Sequence, residues 1–133
     1  MASRADLEAI ALALPEVVEE PSYGNRAWKV RKKLVVWERP LRAKEVEQLG
    51  DAAPPDDAPI VGVRVPDEEA KAALLASEPE VYFTTPHFDG HLSVLILLDR
   101  ISREDLEEAI VEAWLGQAPK RLAGAYLSKR DAG

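Results

Sequence analysis

Two pairs of strand-like runs in this chain are joined by connections too short to allow anything but antiparallel pairing. AWKVR and KLVVWE meet at a basic tip around residues 31–33, and EVYFTTP and HLSVLILL meet across residues 87–90. A parallel pair needs a crossover of about a dozen residues or more. Within the first pair, Trp28 and Val30 share one face while Lys29 and Arg31 share the other, the period-two pattern of a half-buried strand. The tip holds no glycine, which predicts a longer or type I turn rather than a primed two-residue one. A further run, PIVGVRV, sets Val61, Val63 and Val65 against Ile60, Gly62 and Arg64. The spacing therefore predicts a sheet of about five antiparallel strands.

Helical patterns surround these runs. Ser3 and Asp6 form a start signal for a helix whose stripe is Leu7, Ile10, Ala11 and Leu14, closed by Pro15. PSYGN then reads as a turn. RAKEVEQLG reads as a short helix stopped by Gly50, and AAPPDDAP as a surface loop. DEEAKAALLASEP is a helix of good formers. Ser102 caps REDLEEAIVEAWLG, with Asp105 at the capping-box position and Leu106, Ala109, Ile110, Ala113 and Trp114 on one stripe. Gly116 is read as its end, and Pro119 opens a last helix, PKRLAGAYLSKR. The order α-ββ-(α)-β-α-ββ-αα predicts an α+β, two-layer domain over residues 1–133, an antiparallel sheet packed on one face by N- and C-terminal helices. Trp28, Val30, Val94, Ile96, Ile110 and Trp114 are expected in one shared core. The face occupied by Trp37 is not assigned by the pattern.

The charge is unevenly placed. Residues 26–44 carry eight Lys/Arg against one acid, a net +7, so a chain of net −7 carries −14 elsewhere. Two readings of this basic hairpin stay open: a sheet edge guarded by lysines, or a phosphate-binding surface. The absence of cysteine excludes disulfides, thiolate metal sites and cysteine nucleophiles. The longest apolar run, Val94 to Leu98, is too short to cross a bilayer, and MASRADLEAI has no signal-peptide pattern. The expectation is a cytoplasmic, monomeric protein without membrane contact.

TTPHFDGH holds both histidines, His87 and His91, with Asp89 between them. Helical metal ligands at this spacing are disfavoured by Pro86, Asp89 and Gly90. The reading is a turn at Asp89–Gly90 with the histidines flanking it on opposite strands, positive φ at Gly90, and no metal. There is no glycine-rich phosphate loop and no nucleophile or metalloprotease motif. No catalytic residue, no cofactor and no enzymatic activity are expected.

LPEVVEEPSYGNRAWKVRKKLVVWERP and EVYFTTPHFDGHLSVLILLDRISREDLEEAIVEAWLGQAPKRL resemble the two halves of MmcQ/YjbR-type proteins. The likeness rests on the Ser-Tyr-Gly turn and basic hairpin, then on Thr-Pro-His-Phe-Asp-Gly, Ala-Trp and Ala-Pro-Lys-Arg-Leu, and covers roughly residues 7–127. It implies a frataxin-like (CyaY-like) fold and a DNA-binding role. On that reading Lys29, Arg31, Lys32, Lys33, Arg39, Arg42 and Lys44 contact phosphates, with weak, salt-sensitive affinity. Two alternatives stand beside it. One is an adaptor whose split charge orients a protein partner. The other is a frataxin-like ion binder using the acidic N-terminal region of Asp6, Glu8, Glu16, Glu19 and Glu20.

Overall fold

The structure is a computed structural model and describes residues 1–132. In chain order the elements are α1 (Arg4–Ala13), β1 (Val17–Glu19), β2 (Ala27–Val30), β3 (Lys33–Glu38), α2 (Ala43–Leu49), β4 (Ile60–Arg64), α3 (Glu68–Ser77), β5 (Tyr82–Phe83), β6 (Ser93–Leu97), α4 (Arg103–Gln117) and α5 (Lys120–Ala132). The strands form one antiparallel sheet in the order β1-β2-β3-β4-β6-β5. This is the expected α+β architecture, with six strands rather than five.

The added strand is β1. Glu16 adopts φ 59° just after α1, turning the chain so that Val17, Val18 and Glu19 pair with Val30, Lys29 and Trp28. A three-residue edge strand shows too little alternation to stand out in the sequence. The hairpin tip also differs from expectation. Val30 pairs with Lys33, leaving a two-residue turn with Arg31 at φ 49° and Lys32 at φ 70°. The right-handed twist of the flanking strands selects this primed geometry, and it prevails over the steric cost of two side chains in the left-handed region. A second tight turn joins β1 to β2. There Tyr23 and Gly24 have φ 50° and 81°, and Ser22 and Asn25 exchange both backbone hydrogen bonds at 2.9 and 3.0 Å.

Between these turns the β2–β3 ladder shifts register. Lys29 faces Leu34 and Trp28 faces Val36, so Val35 is an extra residue, a β-bulge. The bulge sends Val35 and Val36 into the main core and leaves Leu34 and Trp37 on the opposite face.

The main core lies between the sheet and the helices. Trp28, Val30, Val94, Ile96, Ile110 and Trp114 all belong to it and are fully buried, as their spacing predicts. Leu7, Ile10, Ala11 and Leu14 reach it from α1 and the residue after it. The Ser3–Asp6 capping box starts that helix, and the Ser102 hydroxyl accepts the Asp105 N–H to start α4. The Trp114 indole N–H donates to the Pro15 carbonyl at 3.1 Å, locking α4 onto the end of α1. Gly116 does not end α4. An exposed interior glycine costs only about 1 kcal/mol, and the helix runs on to Gln117, whose amide donates to the Leu34 carbonyl at 2.9 Å.

The second face carries a smaller cluster: Ala27, Trp37, Ile60, Phe88, Leu95 and Leu97. Register places Ala27, Trp37, Gly62, Leu95 and Phe83 in one row across five strands. Trp37 lies flat over Gly62, where any Cβ would overlap the indole ring. Gly62 thus seats the one tryptophan on this face.

Gly62→Ala should therefore destabilise the protein by about 1–3 kcal/mol through overpacking, and Lys32→Gly should stabilise it by up to about 1 kcal/mol by relieving left-handed strain. Urea denaturation followed by tryptophan fluorescence measures both.

Candidate nucleic-acid interface

A buried polar network organises one end of the second face. Arg39, just past β3, is 7% exposed, and Glu45 on α2 is 3% exposed. The guanidinium donates to both carboxylate oxygens at 2.8 and 3.0 Å, a bidentate pair. The remaining capacity is also used. Arg39 Nη1 donates to the Pro40 carbonyl at 2.7 Å, and Glu45 accepts from the Arg42 N–H and the Thr85 hydroxyl, both at 2.9 Å. Burial pushes the Glu45 carboxyl up. The hydrogen bonds from Arg39, the Arg42 backbone and Thr85, with the Arg39 charge, outweigh burial and hold it below its ordinary value of 4.5.

A second buried cation shapes the adjoining loop. Lys71 on α3 is 5% exposed, and its ammonium donates to the carbonyls of Phe88 and His91, both at 2.7 Å. The loop between β5 and β6 contains a 3₁₀ turn, Pro86–Phe88, opened by Pro86. His87 and His91 therefore lie within the loop rather than on opposite strands, a correction that follows from the proline-led turn. Gly90 does take positive φ, 81°. The two exposed imidazoles stack 5.8 Å apart at 15°. Phe88 turns inward beneath the Arg39 guanidinium, 5.1 Å from its ring centre.

Between this loop and the Ser22–Asn25 turn runs a groove of about 650 Å³. Leu34, Trp37 and Phe88 line it, Tyr23 and the histidines flank it, and Arg39, Leu41 and Arg42 lie at one end. Tyr23 is 98% exposed, held out by its positive-φ turn. The Ser-Tyr-Gly and Pro-His-Phe-Asp-Gly-His segments, more than sixty residues apart, thus meet across one surface.

The predicted phosphate contacts divide in two. Arg39 is sequestered by Glu45, which removes it from any surface role. Lys29 is largely covered on the second face and pairs with Glu20 at 3.2 Å, so it does not stand on a solvent face as expected. Arg31 is exposed but bound to Glu16, with its second contact at 3.2 Å. That ion pair holds the Glu16 carboxyl below its ordinary range and pushes the guanidinium up. Arg26 is likewise engaged by Glu19 and Glu8. Four of the eight cations between residues 26 and 44 are thus paired, three with acids from α1, β1 and the residues beside them and Arg39 with Glu45. Lys32, Lys33, Arg42 and Lys44 are exposed and form no ion pair among the described residues.

The same pairing occupies the acidic N-terminal region. Asp6 meets Arg103 at 3.4 Å, while Glu8, Glu16, Glu19 and Glu20 serve the hairpin cations. Among the described residues no three His, Asp or Glu side chains converge as metal ligands would. No helix among them is long and apolar enough to cross a membrane.

Glu45, Lys71 and the Thr85 hydroxyl are absent from the sequence-based set. The available signal was a charge on an apolar stripe: Lys71 stands at helical spacing from Leu74 and Leu75, and Glu45 from Leu49.

The fold and groove together define a two-layer α+β domain with a partly open sheet face. The YjbR family model matches residues 12–115, and the chain belongs to that family. Uncharacterized proteins of Mycobacterium tuberculosis and Mycobacterium bovis are each 50% identical over 129 residues, covering 96% of this chain and 98% of theirs. A crystal structure of a Deinococcus radiodurans protein with a DUF419 domain shares the fold at a TM-score of 0.63 and 18% identity. The match covers 86% of this chain and 78% of that one.

Because the Glu45 carboxyl is held below 4.5, its contribution to stability is complete above that pH and is lost as pH falls through the lowered value. Glu45→Gln should cost about 3–5 kcal/mol at neutral pH by stranding the Arg39 charge. It should also flatten the fall in Tm that the wild type is expected to show below about pH 4.5. Thermal unfolding across pH checks both. Lys71→Met should leave two carbonyls unpaired and speed amide hydrogen exchange across residues 86–92, with α4 unaffected.

Proposed function

We propose that this chain is a weak nucleic-acid-binding module that holds a short single-stranded segment in the groove on its open sheet face. One observation carries the reading: an aromatic-lined groove lies on the strand that joins the unpaired cations of the hairpin tip to those beside α2. Lys32 and Lys33 lie near the Leu34 end, and Arg42 and Lys44 near the Arg39 end. The intervening strand spans roughly 20 Å at about 3.3 Å per residue. Tyr23 and the stacked His87–His91 pair offer π-faces on which unpaired bases can stack. The ligand's phosphates would then meet the four free cations. Acidic residues elsewhere repel a duplex approaching broadly, which favours a narrow, flexible strand. Such a ligand also fits a cytoplasmic site of action.

The pairing of Lys29, Arg31 and Arg39 gives them a structural role in this reading. They fix the hairpin and the groove wall, and only Lys32, Lys33, Arg42 and Lys44 neutralise phosphate. With at most four phosphates involved, the salt dependence on a single strand should have a slope of about −3 or shallower, at about −0.7 per phosphate. Affinity should be on the order of micromolar or weaker at physiological salt.

Fluorescence anisotropy with a labelled oligonucleotide of about 12 nucleotides, in single-stranded and duplex form, tests this from about 20 mM salt upward. The single strand should bind more tightly than the duplex. Changing Lys32, Lys33, Arg42 and Lys44 together to Gln should abolish binding. Tyr23→Ala should weaken it by about ten-fold, within the range for loss of one stacked base. No binding at about 20 mM salt, or binding unchanged in the quadruple variant, would rule the proposal out.

A further inference from the structure

A second groove lies on the opposite side of the sheet, between α3 and α4, with a volume of about 460 Å³. Its floor is apolar: Val63 and Val65 from the sheet side, Ala70, Ala73 and Leu74 from α3, and Ala109 from α4. The rim is acidic. Asp105, Glu108 and Glu112 follow one edge of α4 at helical spacing, and Glu78 stands at the end of α3. All four are exposed, and none forms an ion pair among the described residues. They contrast with the N-terminal acids, which are engaged by arginines and Lys29. Among the described residues Arg64 is the single cation lining this groove, and its Nη1 is directed to the Ser93 hydroxyl at 3.4 Å.

One further observation points into the same space. Tyr82 is 4% exposed and lines the groove. Burial, then the charges of Glu78, Asp105 and Glu108, push that phenol up to about 12. The three carboxylates therefore impose a negative potential on the part of the groove where this phenol lies.

The shape of this charge selects the occupant. Asp105 to Glu112 spans about 10.5 Å along the helix axis, two turns at 1.5 Å per residue. A small monocation would answer one of these carboxylates and leave the rest. A ligand helix that buries residues at i, i+3, i+4 and i+7 while placing Lys or Arg beside them would answer both the apolar floor and the separated charges. We propose that the α3–α4 groove docks a cationic amphipathic helix of a protein partner. Apolar side chains of that helix enter between α3 and α4, and its basic residues meet Glu78, Asp105, Glu108 and Glu112. This site is separate from the nucleic-acid groove, so either proposal can fail alone.

A synthetic helix of about 15 residues with leucines at helical spacing and lysines elsewhere serves as the probe, titrated by calorimetry into the full chain. It should bind the wild type at a single site. The same peptide with glutamates replacing lysines should not bind. Glu108→Lys with Glu112→Lys should weaken binding by about ten-fold or more, since like charges then face each other. Ala73→Trp, at an exposed groove position, should do the same by filling the floor. Glu47→Lys with Asp51→Lys, exposed acids near α2, should change affinity by less than about two-fold. The proposal is overturned if the basic peptide does not bind. It is equally overturned if both charge-reversal pairs weaken binding alike, since that marks diffuse attraction to an acidic protein.

Discussion

The Arg39–Glu45 pair joins three segments that share little else. Arg39 follows the strand that carries Trp37, Glu45 sits in the first turn of α2, and Thr85 precedes the histidine loop. A buried ion pair adds little net stability over an apolar pair of the same shape, yet removing either partner is costly. Such a pair fixes geometry more than it raises stability. With Glu45 fully engaged, α2 is held against the histidine loop and Arg39 is pinned over Phe88. Lys71 completes the arrangement from the other side by binding two carbonyls of that loop. The floor and one wall of the groove are thus set by buried charges, while Tyr23, His87 and His91 are left exposed on it.

How much of this was legible in the sequence follows from which signals are local. Trp28, Val30, Val94 and Ile96 declared their face through alternation, and Ile110 and Trp114 through helical spacing, because burial on one side imposes those periods. β1 was missed because three residues at an edge, one of them an exposed Val18, carry no period. The primed tip was missed because Arg31 and Lys32 lack the usual Asn or Gly, and the constraint comes from strand twist rather than residue preference. Trp37 could not be placed because the bulge at Val35 interrupts the alternation before it.

For the candidate site, the sequence showed how many cations the hairpin holds, and the structure shows which are free. Pairing is a tertiary fact. Glu16 reaches Arg31 across 15 residues, and Glu20 reaches Lys29 across 9. A basic segment of net +7 becomes a surface with four cations unpaired among the described residues, while the matching acids of the N-terminal region lose their apparent availability for ions. Four of the acids left unpaired among the described residues, Glu78, Asp105, Glu108 and Glu112, line the α3–α4 groove, while others such as Glu47 and Asp51 lie at and beside α2. Unpaired cations thus lie beside an aromatic groove on one side of the sheet, and unpaired carboxylates rim an apolar groove on the other.

The three tryptophans make this division directly observable. Trp28 and Trp114 lie in the main core, while Trp37 alone lines the open groove. Adding a short single-stranded oligonucleotide to ¹⁵N-labelled protein should shift the Trp37 indole N–H with the amides of Tyr23, Arg42, His87 and His91. The indole signals of Trp28 and Trp114 should stay in place. Shifts confined to the α3–α4 side, or a spectrum unchanged at low salt, would contradict the assignment of nucleic acid to the open sheet face.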